Sequence, residues 1–80
     1  MPRYHFHFHD GQELPDTEGM GLADISEVRR TAVRLAGDVL RDSGDGFWEA
    51  DDWRLEVTND DGLLLFTITV LVTDSPVVRR

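Results

Sequence analysis

Near the start of the chain, His5, His7 and His9 alternate with Tyr4, Phe6 and Phe8. Period-two alternation puts the imidazoles on one face of a strand and the aromatic rings on the other. Imidazole ligates metals and titrates near neutrality, so the row suggests metal binding or pH sensing. Strand geometry limits the first. Side chains two residues apart sit about 7 Å from one another and those four apart about 13 Å, whereas a metal bonds nitrogen at about 2.1 Å. One ion therefore takes two of the three at most, completed by a carboxylate such as Asp10 or a histidine from another chain. A polar strand face is the plainer reading and is preferred, and no metal or other cofactor is expected.

The other chemistry-bearing residues are weaker signals. Asp10, Glu13, Asp16 and Glu18 superficially suggest a calcium loop. They lack the D-x-[DN]-x-[DN]-G run with a closing glutamate, and a solvated charged loop is expected instead. Asp60-Asp61 fits turn geometry better than ligation. There is no cysteine, and Ser26, Ser43 and Ser75 fall at a helix start, a helix end and a tail, so no nucleophile stands out. The glycines of Glu18-Gly19-Met20-Gly21 do not follow a strand with G-x-G-x-x-G spacing, which leaves no phosphate cradle. The chain is not expected to be an enzyme. Phe47 and Trp48, in a Gly- and Asp-rich loop, either cap the core or form an interface. Arg29, Arg30 and Arg34, with Arg41, give one helix a basic surface. A solvated face explains it most simply, and docking of an acidic partner is the alternative.

The elements that position these residues are legible. Asp10-Gly11 ends the first strand, and a short return strand around Gln12 to Leu14 is stopped by Pro15. Asp16 to Gly21 reads as a connector. Asp24-Ile25-Ser26-Glu27 is a capping box. It opens a helix over 24–42 whose apolar residues Ile25, Val28, Ala32, Leu35, Ala36, Val39 and Leu40 recur at helical spacing. Arg34 and Asp38 are spaced to pair. Ser43 to Gly46 ends the helix. Trp53 to Thr58 alternates again, Asn59 to Gly62 forms a hairpin turn, and Leu63 to about Thr73 is apolar on both faces, as in a central strand. Only about six residues of that strand can pair with Trp53–Thr58. The remainder near Thr69 to Thr73, including Val70 and Val72, needs another neighbour. The first strand is the expected one, and the equivalent strand of a second copy is the alternative.

Composition narrows the classes. The chain has 80 residues and a net charge of −8, with eight basic residues that are all arginine. A single core is all this length supports, and it buries only about 60–65% of the unfolded surface. Without disulfides, a compact core, a subunit interface or a histidine/carboxylate metal site must stabilise it. The acidic balance opposes nucleic-acid and anionic-membrane binding. No signal-peptide pattern or bilayer-length apolar run is present, so a cytoplasmic protein is expected.

Taken together, Met1-Pro2-Arg3-Tyr4, the aromatic/histidine strand, Asp16-Thr17-Glu18-Gly19, the capped helix, Trp53-Arg54-Leu55-Glu56-Val57 and Asp60-Asp61-Gly62 resemble a known pattern. It is that of an uncharacterised domain-of-unknown-function family of short alphaproteobacterial proteins, common in rhizobia. The resemblance spans nearly the whole chain and brings no activity, so it assigns no functional residues. A weaker similarity, of fold alone, is to HicB-like antitoxins.

These observations predict one α+β domain over 1–74 and a flexible tail over 75–80. Its expected form is one amphipathic helix on three or four mainly antiparallel strands, in the order β-β-α-β-β with the second strand short or absent. The leading functional expectation is a small non-enzymatic protein-interaction module that self-associates as a homodimer or other homo-oligomer. The alternatives are a histidine-based metal-binding or pH-sensing protein, and an antitoxin-like binder of a basic partner.

Overall fold

Asp24 is the helix cap that its spacing to Glu27 predicts. Its extended backbone (φ −156°, ψ 175°) lets Oδ1 accept the Glu27 N–H at 2.9 Å. Glu27 reaches back with Oε2, which accepts the Ala23 N–H at 3.3 Å. One orphan donor of the first turn, the Glu27 N–H, is thus satisfied, and Glu27 in return anchors the residue before the cap. The computed structural model of the chain describes residues 1–49 and 52–78. The elements are β1 (Arg3–His9), β2 (Glu13–Leu14), β3 (Met20–Gly21), α1 (Ile25–Ser43), a 3-10 turn (Gly44–Glu49), β4 (Trp53–Asn59) and β5 (Leu64–Val70).

The fold class is α+β as expected, with one helix against an antiparallel sheet, but the sheet has five strands in the order β-β-β-α-β-β. The additional strand, β3, lies inside the segment read as a connector. It pairs Arg3 with Gly21 and Tyr4 with Met20. Two residues are too short a signal for sequence periodicity to reveal.

The sheet order is β2-β1-β4-β5, with β3 beside β2 on the outer edge of β1. The expectation that β1 would neighbour β5 is therefore corrected. β1 pairs with β4, with Phe6 opposite Val57 and Phe8 opposite Leu55, and β5 is an edge strand. That arrangement matches apolar to apolar on one face and His5, His7 and His9 to Thr58, Glu56 and Arg54 on the other. The β4–β5 register shifts at Val57/Thr58, where Phe66 and Leu64 are the successive partners and Leu65 is the extra residue of a bulge. Residues beyond Val70 leave the ladder, and Ser75 to Val78 form a turn in which Val78 N–H donates to Ser75 O. The rest of the expected tail, Arg79 and Arg80, lies outside the described residues.

The core joins Phe6 of β1 and Trp53, Leu55 and Val57 of β4 to Val28, Ala32 and Ala36 of α1, with Leu22 beneath the helix start. Each fully buried large aliphatic side chain contributes about 1.5–3 kcal/mol. Thr31 joins the buried helix stripe, whereas Ile25, expected there, is 41% exposed. It occupies the first helical position, next to the Asp24 cap. Asp38 is engaged by Arg41 at 2.9 Å, in place of the expected Arg34. Among the described residues no helix is long and apolar enough to cross a membrane.

Gly37 lies on the exposed side of α1, and a Cβ built there meets nothing within 4 Å. Replacing it removes backbone freedom from the unfolded chain without a clash. Gly37→Ala is expected to raise the unfolding free energy by about 1 kcal/mol in urea titrations.

Candidate functional site

The helix-free face of the sheet gathers the histidine row into a hydrogen-bonded ladder. Each histidine reaches diagonally past its opposite residue. His5 Nε2 meets Asp60 Oδ1 at 2.9 Å, His7 Nε2 meets Thr58 Oγ1 at 3.1 Å, and His9 Nε2 meets Glu56 Oε1 at 2.7 Å. Diagonal neighbours on one sheet face lie within reach of long side chains. The alternating polar residues Glu56 and Thr58 were the sequence signal for two of these partners, but only the β1–β4 register brings them to the histidines.

Asp16, taken above for part of a solvated loop, is the pivot of this face. Its Oδ2 accepts the Phe6 N–H at 3.1 Å, and Oδ1 accepts the Glu18 and Gly19 N–H groups at 3.2 and 3.1 Å. Its own N–H donates to His7 Nδ1 at 3.0 Å, and its carbonyl accepts from His5 Nδ1 at 2.9 Å. The carboxylate thereby fills the gap between β2 and β3 on the outer edge of β1, where Phe6 would otherwise lack an acceptor. Arg3 braces the same loop by donating to the carbonyls of Glu18 and Gly19 at 3.1 and 3.3 Å. An Asp followed three residues later by a glycine of positive φ was the available clue, as a side-chain-capped turn.

Protonation follows from the partners. Both nitrogens of His5 face oxygens that only accept, the Asp16 carbonyl and the Asp60 carboxylate, so both can donate at once only when the ring is an imidazolium. The Asp60 bond first and the Asp16 carbonyl second raise its pKa above the ordinary value of about 6.5, against a smaller opposing effect of burial. For Asp16, burial is the largest single influence and disfavours its charge. The N–H groups of Gly19, Phe6 and Glu18, with the charge on His5, together outweigh it and hold the carboxyl below its usual range. His7 accepts at Nδ1, which fixes the tautomer with its proton on Nε2.

With these ring nitrogens committed, the row serves as a structural clamp. His5 and His7 lie nearly parallel with ring centroids 6.1 Å apart, too far to share one ion without rearrangement. Among the described residues no group of three or more His, Asp or Glu side chains is placed to hold a metal. Asp10 caps its own turn, with Oδ1 accepting the Gln12 N–H at 3.4 Å.

The interface candidates separate into two places. Phe47, Trp48, Val70 and Val72 come together with Trp53, Leu71 and Asp74 around a cleft of about 230 Å³. Phe47 packs on the core and meets Trp48 edge to face at 5.1 Å, while Trp48 is 67% exposed. The indole Nε1 of Trp53 is buried with no acceptor among the described residues. Arg29, Arg30 and Arg34 are exposed on α1 and do not line this cleft. Sequence reasoning missed Trp53 as a cleft wall, since a strand residue facing the core gives no sign that the core ends beside it.

A family model described as Domain of unknown function (DUF6894) matches residues 3–71. The chain belongs to that family. No match is found among curated proteins or among solved structures. The matched span contains the histidine ladder, the Asp16 pivot and β5, and stops at Leu71.

Two outcomes test this geometry. The His5 contribution to stability is complete below about pH 6.5 and is lost as pH rises through the raised folded value. The Asp16 contribution is present above the ordinary carboxylate value of about 3.9 and is lost as pH falls through the lowered one. Wild type is therefore expected to exceed Asp60→Asn in unfolding free energy near pH 6, with the gap closing towards pH 8.5. A pH-independent gap in urea titrations contradicts the assignment. A Cβ on Gly19 (φ 75°) would sit 2.8 Å from His5 Cε1 and 3.0 Å from Tyr4 O. Gly19→Ala is expected to cost about 2 kcal/mol by the same measurement, with the positive φ alone accounting for 1 or more.

Proposed function

We propose that this chain is a small non-enzymatic protein-interaction module that self-associates. The observation that carries the reading is the unequal treatment of the two sheet edges. On the β1 side, β2, the Asp16 carboxylate, β3 and the Leu22–Pro2 bond occupy the backbone groups. On the β5 side no strand is paired among the described residues. Residues 63–73 contain neither a charge nor a proline, the devices that usually blunt an edge. Leu63, Leu71 and Trp48, at 63, 85 and 67% exposure, flank the same strand. The non-enzymatic part is supported by the commitment of His5, His7 and His9 to structural bonds and of Ser43 Oγ to the Val39 carbonyl at 2.7 Å.

pH sensing is a second reading, favoured by the charged His5 held between Asp60 and Asp16. Its test is the Asp60→Asn comparison above.

Self-association is tested by multi-angle light scattering across a dilution series. A dimer or larger species is expected at high micromolar concentration, dissociating on dilution. A strictly monomeric mass at every concentration overturns the reading.

A further inference from the structure

Backbone hydrogen bonding alternates along an antiparallel strand, each residue turning its N–H and C=O to one side and the next residue to the other. The Phe6 N–H points outwards to Asp16, so His5, His7 and His9 bond towards β4 at Thr58, Glu56 and Arg54. The intervening residues Val57, Leu55 and Trp53 then bond towards β5, at Phe66, Ile68 and Val70. The Asn59 N–H, which donates to Leu63 O, obeys the same parity. This leaves the N–H and C=O groups of Thr67 and Thr69 on the open edge.

From this parity we infer that two copies of the chain join edge to edge, β5 against β5 in antiparallel sense, about a two-fold axis at Thr67. The inference rests on the self-association read above and names its surface and its partner, a second copy. In this register Thr67 exchanges backbone bonds with Thr67 of the other copy, and the outward groups of Thr69 lie alongside the bulge at Leu65. The axis lies within the regular stretch Phe66–Val70, clear of the bulge at Leu65. On the helix face, Phe66 lies opposite Ile68 of the second copy, and both are half-buried in the single chain for want of a neighbour.

The ends of the strand make the match specific. Leu63 and Leu64 stand at one end, and the cleft beside Val70 and Leu71 stands at the other. The two-fold axis brings the end of β5 that carries the exposed Leu63 and Leu64 alongside the end of the other copy's β5 that carries Val70 and Leu71. Charge favours the same approach. Two chains of net charge −8 repel, and residues 63–73 are an uncharged stretch along which they can meet. Asp61 and Asp74, the nearest charges on either side of that stretch, fall outside the paired span.

The alternation also supplies a selective test. The Thr67 N–H faces outwards, so Thr67→Pro leaves the β4–β5 ladder intact while removing the bonds at the axis. In light scattering or sedimentation, Thr67→Pro is expected to weaken dimerisation at least about tenfold, each lost bond being worth about 1 kcal/mol and the facing rings adding a clash. Its circular dichroism should remain that of wild type. Because the chain has no cysteine, Thr67→Cys provides an independent measurement that does not depend on the proline variant folding. A short bis-maleimide should cross-link Thr67→Cys into dimers and leave Glu13→Cys, on the opposite edge, monomeric. If wild type dimerises but Thr67→Pro keeps its affinity, or if Thr67→Cys cross-links no better than Glu13→Cys, this interface is wrong while self-association stands. A wild type that never dimerises overturns both.

Discussion

One helix cannot cover this sheet. An α-helix with its side chains is about 10–12 Å across, and strands lie about 4.8 Å apart, so α1 shields about two of them. The two it shields are β1 and β4, whose Phe6, Trp53, Leu55 and Val57 are buried, while Phe66, Ile68 and Val70 of β5 remain half-buried. That mismatch of widths governs the rest of the molecule. It places the core over the β1–β4 pair and makes β5 apolar without being enclosed. It also leaves the outer flank of β5 without helix cover.

The opposite face of the β1–β4 pair shows how a polar surface can be as ordered as a core. Histidines two apart on β1 meet acceptors two apart on β4 and its turn, and a shift of one residue would send every one of them to the helix side. Asp16 ties this ladder to the strand edge. Its carboxylate serves as a backbone acceptor for Phe6 while its main chain engages His5 and His7. The charge on His5 and that on Asp16 therefore support one another, and the loop that carries Asp16 is a closure for the sheet.

The two edges then have different fates for physical reasons. The segment following β1 folds back on it within a few residues, so closing that edge carries little loop entropy. β5 is followed by a stretch that leaves the ladder after Val70, and among the described residues no strand pairs its outer backbone groups. The chain is acidic overall, and the strand at this edge lies in the uncharged stretch 63–73.

Local rules determined much of this from sequence alone. The Asp24–Glu27 box set the helix start, the Asp-Gly and Asn59–Gly62 turns set the strand ends, and alternation set which side of β1 is aromatic, because each depends on residues close in the chain. β3, the pivot at Asp16 and the diagonal partners of His5, His7 and His9 were decided only by tertiary structure. So was the position of β5: an apolar strand has the same composition whether a neighbour encloses it or it forms the edge. Which strands become neighbours depends on register between segments some fifty residues apart, as in the pairing of Phe6 with Val57. Hydrophobic periodicity specifies the face a residue shows, but not the strand that comes to lie beside it.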